Sequence, residues 1–146
     1  MSRYEQASHV FWRCQYHIVW TPKYRFRILK NNIGKDVYRF IHIYCDKLGV
    51  KVMELNVQID HVHIVVKVPP KLSISQLMGC LKGRLALKLF NKYPHLRKNK
   101  AWGGRFWQRG YFVDSVGINE EIIRRYVRHQ DKMEKQEEKR QLHLLG

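Results

Sequence analysis

Residues 50–58 and 61–68 are two strand-like runs with only Ile59 and Asp60 between them. Strands joined this closely cannot be parallel, because a parallel return needs a crossover of about a dozen residues. The chain must therefore contain an antiparallel hairpin, turning at Ile59 and Asp60, where aspartate tolerates turn geometry. Pro69 and Pro70 close the second run, since proline has no backbone N–H for the ladder. In the first run, alternation sets Val50, Val52 and Glu54 against Lys51, Met53 and Leu55. In the second, the period of two sends His61 and His63 to one face and Val62 into the core.

The flanking segments fill in a plan. Residues 13–21, RCQYHIVWT, are rich in β-branched and aromatic side chains and stop at Pro22, which predicts a strand. Val37, Phe40, Ile41 and Tyr44 recur near helical spacing over residues 35–47, and Gly49 supplies the stop. Beyond the hairpin, Ser73 and Ser75 offer N-caps for a helix reaching about Phe90, with Leu77, Met78, Leu81, Leu85 and Leu89 on its buried side. Residues 91–110 read as a basic, aromatic loop and 111–116 as a fourth strand. Asn119 then caps a helix opening on Glu120 and Glu121, acidic residues favoured at its positive end. This helix carries Tyr126 and runs into a charged tail at residues 132–146. The order β-α-β-β-α-β is the split βαβ, ferredoxin-like plan: an α+β fold with an antiparallel sheet and helices on one face, plus the C-terminal tyrosine helix. No linker or repeat interrupts it, so residues 1–146 read as a single domain.

Charge narrows the partners. Lysine and arginine number 28 against 12 acidic residues, a net charge of +16. No carboxylate lies between Asp60 and Asp114, whereas eleven lysines and arginines fall from Lys67 to Arg109. A block of one sign suits a polyanion, which points to nucleic acid. Arg84, Lys88, Arg105 and Arg109 are the expected phosphate contacts, and Trp107, beside Trp102, Phe106 and Tyr111, an expected base-stacking ring. Cys14, Cys45 and Cys80 form no C-x-x-C pair, which argues against a zinc knuckle or a disulfide framework. The polar N-terminus and the lack of a long apolar stretch predict a cytoplasmic protein with no membrane role.

His61-Val62-His63 alone proves little, because exposed histidines on a half-polar strand read the same way. The tyrosine helix adds weight. Tyr126 and Gln130 lie four residues apart, hence on one helical face, among Arg124, Arg125 and Arg128. A carboxamide oxygen suits Mg²⁺ or Mn²⁺ and could complete a site begun by two imidazoles. A zinc hydrolase would need a third ligand, for which Asp60 and His129 are poorly placed, Asp60 being expected to point away from His61. A non-catalytic module of the RNA-recognition type would need exposed aromatics on the central strands.

Four blocks together resemble the HUH single-tyrosine transposases of the insertion-sequence-200-like group: YHIVWTPKYR at residues 16–25, QIDHVHIVV at 58–66, GGRFWQRGYF at 103–112, and Tyr126 with Gln130. The resemblance implies that His61, His63 and Gln130 bind a divalent metal and that Tyr126 is the nucleophile. It implies an enzyme that cleaves and rejoins single-stranded DNA at insertion-sequence ends and recognises subterminal hairpins. It also implies a homodimer in which the tyrosine helix of one subunit can complete the metal site of the other.

Overall fold

From the N-terminus the chain runs β1 (Glu5–Ala7), β2 (Val10–Trp12), β3 (Gln15–Trp20), a 3-10 turn (Lys23–Arg25), α1 (Asn31–Lys47), β4 (Lys51–Gln58), β5 (His61–Lys67), α2 (Ile74–Lys92), α3 (Pro94–Lys98) and β6 (Phe112–Ser115). These elements are seen in a computed structural model that describes residues 5–7, 10–98 and 104–116, with Lys132, Gln136, Lys139 and Arg140 beyond. The chain divides into two units, Met1–Val116 and Gly117–Gly146. The expected tyrosine helix, with Tyr126 and Gln130, falls in the second unit and outside the described residues, as does Trp102 of the first.

The main sheet has the order β4-β5-β3-β6 with every pair antiparallel, which is the expected ferredoxin-like arrangement. Its register aligns the apolar side chains across strands: Ile18 opposes Ile64 and Trp20 opposes Val62, while Leu55 and Val57 oppose the same two β5 residues from the other side. Helices α1 and α2 cover that face, and Val37, Ile41, Leu77, Leu81, Leu85 and Leu89 are fully buried with Ile18, Val62, Ile64 and Val66. Each such aliphatic contributes about 1.5–3 kcal/mol. The histidines consequently fall on the uncovered face.

The expected alternation along β4 is corrected. A bulge between Val52 and Glu54 absorbs one residue, so Leu55 and Val57 follow Val52 onto the core face and Glu54 does not. Helix α1 starts at Asn31, ahead of the expected residue 35, and ends as expected at Gly49. There φ is +71°, and the N–H groups of Gly49 and Val50 donate to the carbonyls of Asp46 (3.1 Å) and Cys45 (2.9 Å) in a Schellman closure. Ser73, rather than Ser75, caps α2, and its side chain and backbone exchange hydrogen bonds with Gln76 at 3.0 Å each. The segment expected to be loop contains α3, which is anchored by buried Leu96. A short antiparallel hairpin of β1 and β2 precedes the sheet and was not foreseen.

One polar knot joins the helices. The Asp36 carboxylate on α1 is buried and accepts from Tyr93 Oη at 2.5 Å and from Lys92 Nζ at 2.8 Å, both at the end of α2. Burial is the largest single influence and opposes its ionisation, but the hydrogen bonds from Lys92 and Tyr93 together with the charges of Lys92 and Arg39 hold the carboxyl below its ordinary 3.8. Burial and the same contact push the Tyr93 hydroxyl up to about 12. A depressed carboxyl stabilises the fold above its unfolded value, and that contribution is lost as pH falls through the folded value. Urea unfolding as a function of pH should therefore show stability falling below about pH 4, with a flatter acid limb in Asp36→Asn. An equally steep limb in the variant would remove Asp36 as the cause.

Candidate functional site

The open face of the sheet is assembled from alternate residues of neighbouring strands. On β5 it carries His61, His63, Val65 and Lys67, and on β3 Gln15, His17 and Val19, because their chain neighbours point into the core. It is open only toward the histidines, since Gln15, Val65 and Lys67 are buried and Lys67 pairs with Glu5 of β1 at 3.1 Å. Asn56 is paired with His63 and Gln58 with His61 across the β4–β5 ladder. The two histidines expected from the sequence thus lie side by side on an accessible surface, half-buried rather than sealed.

Asp60 is a correction. It does not point away from His61, because as a turn residue it escapes the strand alternation, and its Oδ1 lies 2.9 Å from His61 Nδ1. Its other oxygen accepts from Arg25 Nη2 at 3.1 Å. The hydrogen bond to His61 comes first among the interactions that keep the Asp60 carboxyl below its ordinary value, with the Arg25 charge assisting. A carboxylate at Nδ1 draws the ring proton there and leaves the Nε2 lone pair free to bind a cation.

His17 joins the histidine pair, although nothing in its local sequence sets it apart. Its Nδ1 is 3.1 Å from Nε2 of His63, and the two rings are nearly parallel at 12° with centroids 5.3 Å apart. That centroid distance is the N···N contact plus about one ring's width, so the rings meet end to end and share one proton. In either tautomer Nε2 of His63 is engaged by His17. A cation bound by that nitrogen has to displace the hydrogen bond. Period-two alternation places His17 opposite Ile18, but only the pairing of β3 with β5 brings it to His63. Among the described residues, no three His, Cys, Asp or Glu side chains converge as a ready metal cage, so the histidine pair is at most part of a site.

The three sequence blocks within the described residues meet beyond one end of the sheet. Lys23 N donates to the Phe106 carbonyl and Gln108 N to the Thr21 carbonyl, both at 2.9 Å, while Pro22 bridges to Trp107. Arg25, from the same stretch as Thr21, reaches Asp60. Tyr24 and Arg25 adopt positive φ (55° and 51°), a conformation costly for side-chain-bearing residues and held by these contacts.

The expected DNA contacts divide. Trp107 is only 3% exposed, its ring packs edge-on against Trp20, and its Nε1 donates to the Lys82 carbonyl at 3.1 Å. It is a core residue whose ring cannot stack on a base in this conformation, and fully buried Phe106 is another. Arg105 and Arg109 are exposed beside a cleft of about 500 Å³ between α2 and the loop. Lys82 pins that loop by donating to the carbonyls of Gln108 and Gly110 at 2.9 and 2.8 Å. Arg84 and Lys88 are exposed on α2, over the Tyr44 and Phe40 rings of α1 respectively. They belong to the helical layer, across the sheet from the histidines.

Comparison with known proteins agrees with this architecture. The family model described as "Transposase IS200 like" matches residues 10–130. The transposase for insertion sequence element IS200 of Salmonella typhimurium is 38% identical over 135 residues, 90% of this chain and 88% of that protein. The ISDra2 transposase TnpA of Deinococcus radiodurans is 30% identical over 120 residues, 82% of this chain and 85% of its own. A Deinococcus radiodurans crystal structure assigned as a transposase superposes with a TM-score of 0.71 at 26% identity, covering 86% of this chain and 97% of that one. The REP-associated tyrosine transposase bound to a REP hairpin shares the fold, with a TM-score of 0.54 at 14% identity over 88% of this chain and 68% of that one.

If Asp60 sets the tautomer of a metal-binding histidine, Asp60→Asn should weaken Mn²⁺ binding by about 10–100-fold, the usual scale for an outer-shell partner. Calorimetric titration of the metal-free protein measures this directly. Unchanged affinity would show that Asp60 only pairs with Arg25.

Proposed function

Because the chain belongs to the IS200-like transposase family, whose work is DNA cleavage and strand transfer, we propose that it cuts and rejoins single-stranded DNA at insertion-sequence ends through Tyr126. In this reading His61, His63 and Gln130 hold a divalent cation, Mg²⁺ or Mn²⁺. The observation that carries it is the pair of imidazoles on the open sheet face, one of them oriented by Asp60 at 2.9 Å. The carboxamide oxygen is the donor that suits such an ion, and because all three ligands are neutral the cation would keep its full charge for the phosphate. Bound there, the cation would supply charge neutralisation at the scissile phosphate.

The rest of the chemistry belongs to the chain. Tyr126 forms the new P–O bond as the P–O3′ bond breaks, giving a 5′-phosphotyrosine and a free 3′-hydroxyl. A tyrosine hydroxyl with an ordinary pKa near 10 is a weak nucleophile at neutral pH and needs a nearby positive field, which Arg124, Arg125 and Arg128 can provide. The covalent ester conserves the phosphodiester bond, so attack by another 3′-hydroxyl rejoins strands without an external energy source. Arg105 and Arg109 on the loop, and Arg84 and Lys88 on α2, neutralise backbone phosphates, including those of a hairpin near the element end.

Each chain carries one such tyrosine and an element has two ends, which favours a homodimer. In that reading Tyr126 of one subunit can act in trans at the histidines of the other. The module of the RNA-recognition type loses its support: the open-face residues of β3 and β5 include no phenylalanine, tyrosine or tryptophan.

Incubation with single-stranded element-end DNA and Mn²⁺ should give a protein–DNA adduct that survives denaturation. Tyr126→Phe should give none, a chelator should abolish it, and His61→Ala should reduce its rate by about 100-fold or more, the scale of losing one electrostatic catalytic group. An adduct that persists in Tyr126→Phe would overturn the nucleophile, and indifference to both metal tests would overturn the cation.

A further inference from the structure

An imidazole that binds a cation through one ring nitrogen has a second nitrogen left over. In metal sites that second nitrogen is almost always hydrogen-bonded, which fixes both the tautomer and the orientation of the ring. The two histidines of the open face meet this requirement in opposite ways. His61 is held at Nδ1, by Asp60 Oδ1 at 2.9 Å, so Nε2 is the nitrogen it offers. His63 is held at Nε2, which lies 3.1 Å from His17 Nδ1.

The sheet register gives the second contact a direction. His63 pairs with Val19 across the β3–β5 ladder, whereas His17 pairs with Val65, on the far side of His63 from His61. Residues two apart on a strand are separated by about 6.6 Å, so the Nε2 edge of His63 is turned along β5, away from His61. A cation shared by the two rings lies between them, and the nitrogen of His63 not committed to His17 is Nδ1. The hydrogen-bonding inventory agrees. For Nδ1 of His63 to keep its lone pair, Nε2 must carry the proton and donate it to His17 Nδ1, whose own proton then sits on Nε2. In the reverse arrangement His17 donates, His63 is protonated at Nδ1, and no lone pair is left for a metal. Among the described residues His17, His61 and His63 do not converge as three ligands, in keeping with a supporting place for His17.

We propose that His17 is the positioning residue of His63, as Asp60 is of His61. It accepts the Nε2 proton, holds the ring, and leaves Nδ1 to the cation. The two ligands then meet one ion through unlike nitrogens, Nε2 of His61 and Nδ1 of His63, and His17 does not touch it. The inference rests on the reading that His61 and His63 hold a divalent cation, and adds to it a residue and the ligand atoms.

The test is metal binding by the full chain without DNA, so that no strand is cut. Calorimetric titration with Mn²⁺ should show a site that His61→Ala and His63→Ala each remove. His17→Phe keeps a flat ring but no acceptor, and should weaken that site by about 10–100-fold. His17→Asn, whose Oδ1 falls near the place of Nδ1 and can accept, should bind within about threefold of wild type. Nitrogen NMR of the protein loaded with Zn²⁺, a diamagnetic probe, should show His61 bound through Nε2 and His63 through Nδ1. Coordination through Nε2 of His63, or normal affinity in His17→Phe, would overturn the proposal. So would an equal loss in His17→Asn and His17→Phe, which is what a purely structural role would give. No Mn²⁺ site, or one indifferent to His61→Ala and His63→Ala, would instead overturn the cation reading itself.

Discussion

The pairing of β5 between β3 and β4 is the constraint on which the structure depends. Val62, Ile64 and Val66 are buried to 0% against the helices, and each such side chain contributes about 1.5–3 kcal/mol. A slip of one residue would expose all three and bury His61 and His63 in their place. Hydrophobic burial, spread over three strands in register, thus holds two imidazoles on the accessible face. The candidate site is the reverse side of the core.

That surface is tuned from its edges. Asp60 sits in the turn that joins β4 to β5, so the connection that sets the hairpin register also carries the carboxylate that orients His61. Arg25 holds Asp60 from a segment with two left-handed residues, and that segment is pinned by the Phe106–Gln108 stretch. Buried Trp107 closes the arrangement by joining this stretch to Trp20 and to the backbone of α2. Three stretches distant in sequence therefore support one hydrogen bond at the histidine pair.

Much of this was legible in the sequence, and the gaps have physical causes. The hairpin, the outward histidines and the helix stop at Gly49 follow from local rules of spacing and turn chemistry. The bulge at Val52/Glu54 does not, because two residues facing one is a property of a strand pair and not of β4 alone. The orientation of Asp60 does not follow from alternation, because the period of two ends with the strand and Asp60 lies in the turn. Trp107 illustrates a different limit: an aromatic in a basic, glycine-bearing segment has the same local pattern whether it meets a base or fills a core, and only its contacts with Trp20 and Phe106 decide. His17 became a site residue only through pairing with a strand 46 positions away.

Whether Tyr126 is the residue that bonds to DNA at the histidine face is tested most directly by peptide mass spectrometry. After reaction with single-stranded element-end DNA and Mn²⁺, nuclease trimming and tryptic digestion, cleavage after Arg125 and Arg128 should release the peptide Tyr126-Val127-Arg128. The account predicts a 5′-linked nucleotide phosphate on that peptide. A nucleotide on any other residue, or cleaved DNA with no protein-bound nucleotide, would contradict it.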